Sequence, residues 1–254
     1  MMIRNILPAA LSLCLLASPP IAAEELTDMS AGATVSNFVT MGKTQIPLPK
    51  GEWEVKQVGT KRHQDFGLLG RALLIQETND SGFLAIGLIS NVDSCAPYGW
   101  SKHICGRNNT HHNESRGAPG NKDAECWNVN HFTINPNHEY TKGFWKKYNN
   151  ERNVILKTVF SKRTTFLVNQ FRYSNQCHFA NLSYFASPER FSFEPESSSW
   201  KDSVWHRNVV GEDPRRKELV AAVTEVGREL KNAVKRGFDG ELDGWTSDIV
   251  LKFN

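Results

Sequence analysis

Residues 213–237 read DPRRKELVAAVTEVGRELKNAVKRG. Asp213 is placed as a helix N-cap, its carboxylate able to accept from the first free amides. Pro214 follows at N1, where no amide donor is needed. Leu219, Val223, Val226, Leu230, Ala233 and Val234 recur at steps of three and four and draw one continuous apolar stripe. Lys235 and Arg236 suit the negative end of the helix dipole, and Gly237 is the expected C-cap. The stretch predicts a helix from Pro214 to Arg236 with one core-facing side. Its basic side, with Arg215, Arg216, Lys217, Arg228, Lys231, Lys235 and Arg236, is interrupted by Glu218, Glu225 and Glu229. That mixture reads as a solvated face with local charge pairs rather than a lipid-binding one.

Upstream of the helix the pattern is that of strands. Residues 35–46 make a first strand broken at Gly42. Pro47 and Pro49 cannot both feed a sheet ladder, so this segment is an extended edge or turn. Trp53, Val55 and Gln57 begin an alternating strand. Residues 71–78 and 83–92 are aliphatic runs around Asn79-Asp80-Ser81-Gly82, which predicts a hairpin. Further strands are expected over 126–134, 164–173 and 178–186. Short helices are expected over 140–150 and 197–206, the second with Trp200, Val204 and Trp205 on one side. Residues 24–34 read as a loose arm and 249–253 as a last short strand.

Residues 93–125 keep no period. They are rich in Gly, Pro, Asn, His and Ser, and a loop of this length in a compact domain is usually functional or disordered. Strands come first and the long helix last, without regular alternation. The expected fold class is therefore α+β: one domain over 24–254, an antiparallel sheet packed on one face by the helix, with the long loop tied down by disulfides.

The chain opens with Arg4, a Leu/Ala-rich run over 6–17, Pro19-Pro20, and the small-residue end Ile21-Ala22-Ala23 before Glu24-Glu25. This is the layout of a secretory leader, residues 1–23, cleaved after Ala23. The run is shorter than the roughly 20 residues a membrane anchor needs. Leu13 before Cys14 is too bulky for lipoprotein processing. The full chain carries a net charge of +3, lowered by one when Arg4 leaves. So small an excess argues against nucleic acid as a partner, and no second apolar stretch is long enough to span a membrane. Cys95, Cys105, Cys126 and Cys177 remain, an even set that reads as two disulfides in an oxidising compartment. All three pairings are formally open; Cys105–Cys126 with Cys95–Cys177 is preferred, because the first staples the loop.

Candidate chemistry is sparse. His103, His111 and His112, near Glu114 and Asp123, are the candidate metal ligands of the loop. No spacing of the Cys-x-x-Cys or His-Glu-x-x-His kind supports them, so no metal and no cofactor is expected. His131 and His178 would make an acid–base pair if their strands were neighbours; two strand-end histidines without a third partner are the plainer reading. No serine elbow and no complete phosphate loop occurs. Seven tryptophans are present. Trp53 and Trp127 belong to the core by position, while Trp100 in the long loop is the one expected to be exposed.

The segments 46–53 (IPLPKGEW) and 199–206 (SWKDSVWH), with Asp213-Pro214-Arg215 and Gly237-Phe238-Asp239-Gly240 after them, resemble a loose group of uncharacterised exported proteins of proteobacteria. The likeness covers the two ends of the mature chain better than its middle. It implies a periplasmic or secreted bacterial protein and no particular activity. The expectation is a non-enzymatic domain that binds a protein partner or an envelope component. The alternative is an envelope hydrolase, metal-dependent or not, with its site under the 93–125 loop. On the leader reading, N-terminal sequencing of protein from a periplasmic fraction begins at Glu24; retained Met1 or an acylated Cys14 contradicts it.

Overall fold

Period-two alternation makes the strands, and the aliphatic and aromatic side chains on one phase of that alternation make the core. The structure is a computed structural model and describes residues 24–63, 67–92, 95, 107–117, 123–134, 164–196 and 198–253. Its strands are β1 (Glu24–Glu25), β2 (Thr34–Val35), β3 (Phe38–Met41), β4 (Thr44–Pro47), β5 (Trp53–His63), β6 (Gly67–Ile75), β7 (Ala85–Asn91), β8 (His112–Arg116), β9 (Ala124–Ile134), β10 (Thr164–Ser174) and β11 (Phe179–Ala186). Among the described residues one α-helix, α1 (Pro214–Phe238), follows them. Eight strands form one antiparallel sheet in the order β2-β5-β6-β7-β11-β10-β9-β8. In a small second sheet β3 pairs antiparallel with β4 and parallel with β1. The fold is α+β, as expected: strands first, helix last, the helix laid on one sheet face.

Leu74 on β6, Ile86 and Leu88 on β7, Leu182 and Tyr184 on β11, Leu167 and Phe171 on β10 and Trp127 and Val129 on β9 meet Leu219, Val223, Val226 and Leu230 of α1 in one buried cluster. Burying each aliphatic side chain contributes about 1.5–3 kcal/mol, an upper figure for a compact unfolded chain. Leu73, Ile75, Ala85, Phe166 and Val168 point to the opposite face and form a second buried cluster. That explains why residues 72–75 are apolar without alternation: both faces of β6 are covered.

A polar bridge fixes the helix to the sheet. Asn169, fully buried on β10, accepts from Trp127 Nε1 at 2.9 Å and donates through Nδ2 to the Val223 carbonyl at 2.8 Å. Gly227 lies one turn further along α1. A Cβ there would sit 2.1 Å from Asn169 Oδ1 and 2.7 Å from Trp127 Cζ2. The helix comes this close only because position 227 has no side chain.

Several expectations change. The helix runs past Gly237 and caps at Asp239, because Gly237 is a packing residue whose Cβ would lie 2.1 Å from the Gln45 carbonyl oxygen. Residues 24–34 are no loose arm: Glu25 binds the Gly42 amide through both carboxylate oxygens (3.3 and 3.2 Å), and Leu26 is fully buried. Residues 198–206 form turns instead of a helix. Glu196 captures Ser203 Oγ at 2.6 Å and the Val204 amide at 2.7 Å, folding the segment back on itself. Residues 249–253 are extended but join no sheet; the Ile249 carbonyl accepts from Lys50 N and Leu251 N donates to Ser81. The expected helix over 140–150 lies outside the described residues.

Cys95 and Cys177 are disulfide-bonded across 82 residues of sequence, which ties Cys95 to the β10–β11 turn. Closing so long a loop contributes about 4–5 kcal/mol in the chain-entropy account. Cys126 is also disulfide-bonded; its expected partner, Cys105, lies outside the described residues.

Gly227→Ala separates packing from propensity. Alanine favours an isolated helix by about 1 kcal/mol, yet here it should lower stability by about 2 kcal/mol or more through overpacking on Asn169. Gly211→Ala, whose Cβ meets nothing within 4 Å, should change stability by less than about 0.5 kcal/mol. Urea unfolding of both variants checks this.

Candidate functional site

On β9 the alternation that turns Trp127 and Val129 to the core also brings His131 to that face, near the strand end. It is buried, and its ring stacks on Trp200 with centroids 4.7 Å apart and planes at 12°. Two hydrogen bonds reinforce the stack: His131 Nε2 donates to the Trp200 carbonyl at 2.8 Å, and Trp200 Nε1 donates to the His131 carbonyl at 3.2 Å. With Nε2 carrying the proton, a neutral His131 leaves Nδ1 as a bare acceptor. That atom is buried and, among the described residues, has no hydrogen-bond partner.

Two more histidines complete the cluster. His206 sits edge-on to both rings, 5.5 Å from His131 and 4.9 Å from Trp200. His111, just before β8, is 6.0 Å from His131 between ring centroids. Its ring lies beside the Trp205 backbone, and among the described residues its buried Nε2 has no hydrogen-bond partner. Burial first, then the neighbouring His131, pushes His111 down to about 4, with Arg207 and His206 adding to the fall. Burial likewise lowers His131, with the Trp200 carbonyl and the Glu196 carboxylate acting the other way. Both rings are therefore neutral at pH 7.

The loop histidines part company. His112 donates to Glu114 at 2.9 Å, and Glu114 also pairs with Lys231 of α1 at 2.5 Å. Lys231, then His112, hold the Glu114 carboxyl below its usual range. His112 faces Trp127 at 4.2 Å between ring centroids, so it helps clasp the sheet edge to the helix. His103 lies outside the described residues, as does Trp100. His178 is at the other end of the sheet, beside Phe238, and does not meet His131: β9 does pair with β10, but His131 is opposite Leu167 while His178 follows the turn beyond Ser174. Among the described residues no group of three or more His, Cys, Asp or Glu is arranged to hold a metal. Trp200, His206 and Glu196 are the partners that sequence reasoning did not assign to His131, being more than sixty residues away.

A second feature lies at the start of α1. The β6–β7 turn, the 3-10 turn Pro188–Phe191 and the chain's last residues enclose a cleft of about 370 Å³. Arg190, Arg215 and Lys252 line it together with Phe191 and Phe253, and among the described residues no carboxylate does. Arg190 is spent on structure, donating to the carbonyls of Thr78 and Phe83 (both 2.8 Å) and of Gln76. Arg215 holds the Phe191 carbonyl at 2.9 Å, and its guanidinium lies over the Phe193 and Phe253 rings at 4.7 and 5.7 Å. Lys252 is exposed. No helix among the described residues is long and apolar enough to cross a membrane. No protein-family model, no curated protein and no solved structure matches the chain.

The His111 site has a signed pH consequence. Its folded value, about 4, lies below the ordinary 6.5, so the unfolded chain binds the extra proton between these limits and stability falls as pH drops through them. The stability contribution of this one ring, on the order of 2–3 kcal/mol, is present in full above the window and gone below it. Urea midpoints of wild type and His111→Gln between pH 7.5 and 4 should converge as pH falls; a constant difference contradicts the assignment.

Proposed function

We propose that the chain is an exported bacterial protein, periplasmic or secreted after loss of residues 1–23, that acts as a non-enzymatic binding domain for an anionic component of the cell envelope. The cleft at the start of α1 carries this reading. Two cations, Arg215 and Lys252, flank Phe191 and Phe253 there. Such a cleft suits a phosphate or carboxylate borne on a sugar ring or an acyl group: the charge meets the cations and the apolar part meets the rings. The Cys95–Cys177 disulfide fits an oxidising compartment. On this reading Cys105 pairs with Cys126; the 93–125 stretch, expected as a loop without strand, holds β8 (His112–Arg116), which pairs with β9 in the large sheet.

The hydrolase alternative has less behind it. His112 and Glu114 are engaged with each other and with Lys231, and His131 is engaged in holding the Trp200 segment.

Cosedimentation of the purified mature protein with isolated cell envelopes tests the proposal. Binding should be present at low ionic strength and weaken steeply with salt. The double variant Arg215→Gln/Lys252→Gln should bind at least about tenfold more weakly, with its far-ultraviolet spectrum unchanged. Envelope binding that survives the double substitution, or none at low salt, overturns the reading.

A further inference from the structure

Among the described residues the buried Nε2 of His111 and Nδ1 of His131 both lack a hydrogen-bond partner. Buried polar atoms nearly always have a partner, and those without one call for an ion, a water or a chemical role. Here two lone pairs of the same kind are left over in one cluster. In His131 the other nitrogen is fixed by the Trp200 backbone carbonyl, and the His111 ring lies beside the Trp205 backbone. An N–H held by a carbonyl is the arrangement that orients imidazole as a metal ligand and selects its free nitrogen.

The spacing leaves room for a shared ion: imidazoles bound to one ion at about 2.0–2.1 Å place their ring centroids roughly 5.2 Å apart at a tetrahedral angle and roughly 6.4 Å apart on opposite sides of the metal. The His111 and His131 centroids are 6.0 Å apart. Burial keeps both rings neutral, the form that ligates.

We propose that His111 and His131 form a two-imidazole site for a first-row transition-metal ion of the Zn²⁺ or Cu²⁺ class. Two protein ligands make an open site, with the remaining positions left to water or to a donor atom of a bound molecule. Among the described residues there is no third ligand to close it. Glu196 adds a favourable charge near His131, and Arg207 an unfavourable one near His111. The site differs from the loop grouping His103, His111 and His112 in using the strand residue His131. It stands independently of the anion cleft.

The test is titration of chelator-treated, full-length mature protein with ZnCl₂ and with CuSO₄ at pH 7.5, followed by calorimetry. For Cu²⁺ the quenching of tryptophan fluorescence gives a second readout, since Trp200 stacks on His131. One equivalent should bind. His111→Gln and His131→Gln should each weaken binding at least about tenfold, while His178→Gln leaves it within about twofold. If His131→Gln proves unfolded by circular dichroism, His111→Gln decides alone. Failure of both ions to bind wild type, or binding unchanged in His111→Gln, overturns the proposal and leaves a bridging water as the occupant of the two nitrogens.

Discussion

Asn169 is the residue on which the rest of the structure depends. It is a fully buried amide between sheet and helix, and both ends of it are used: the oxygen by Trp127, the nitrogen by the Val223 carbonyl. A buried amide left unpaired costs about 1–3 kcal/mol, so the bridge favours one register of α1 on the sheet. Gly227 gives the room for that register, and Gly237 permits the same closeness at the helix end against Gln45. Between these two contacts the stripe from Leu219 to Val234 closes the core.

The clasp propagates to both candidate sites. Trp127 shares β9 with His131, four residues on, so the strand that anchors the helix also presents the histidine cluster. Lys231 extends the clasp to the sheet edge through Glu114 and His112. The N-terminal turn of α1 carries Arg215 into the cleft, where its guanidinium covers Phe193 and Phe253. One site joins β9 to the turns of 198–206, and the other joins the start of α1 to the 3-10 turn Pro188–Phe191 and residues 251–253.

What could be read from the sequence follows a physical line. Period-two runs and turn residues gave the strands of the central hairpin and of 124–186, and the N-cap with its stripe gave the helix, because these signals are local. Gly237 was misread as a cap because its packing partner, Gln45, is nearly two hundred residues away. The 197–206 segment was misread as a helix because Glu196, which captures Ser203 and Val204, makes turns that compete with it. Neither signal is visible in a local window. The site was half legible: His111 and His131 stood out by type, but their partners Trp200 and His206 are joined to them only by the fold. The Cys95–Cys177 pairing was legible as a preference, since the cysteines downstream of residue 23 allow only three pairings.

Urea unfolding of Asn169→Ala, followed by both tryptophan fluorescence and far-ultraviolet circular dichroism, tests the account most directly. The substitution strands the Trp127 indole N–H and removes the link to Val223. The account predicts a loss of about 2–4 kcal/mol, with both probes still reporting one transition. An unchanged midpoint would contradict it, as would a helix signal lost separately from the sheet.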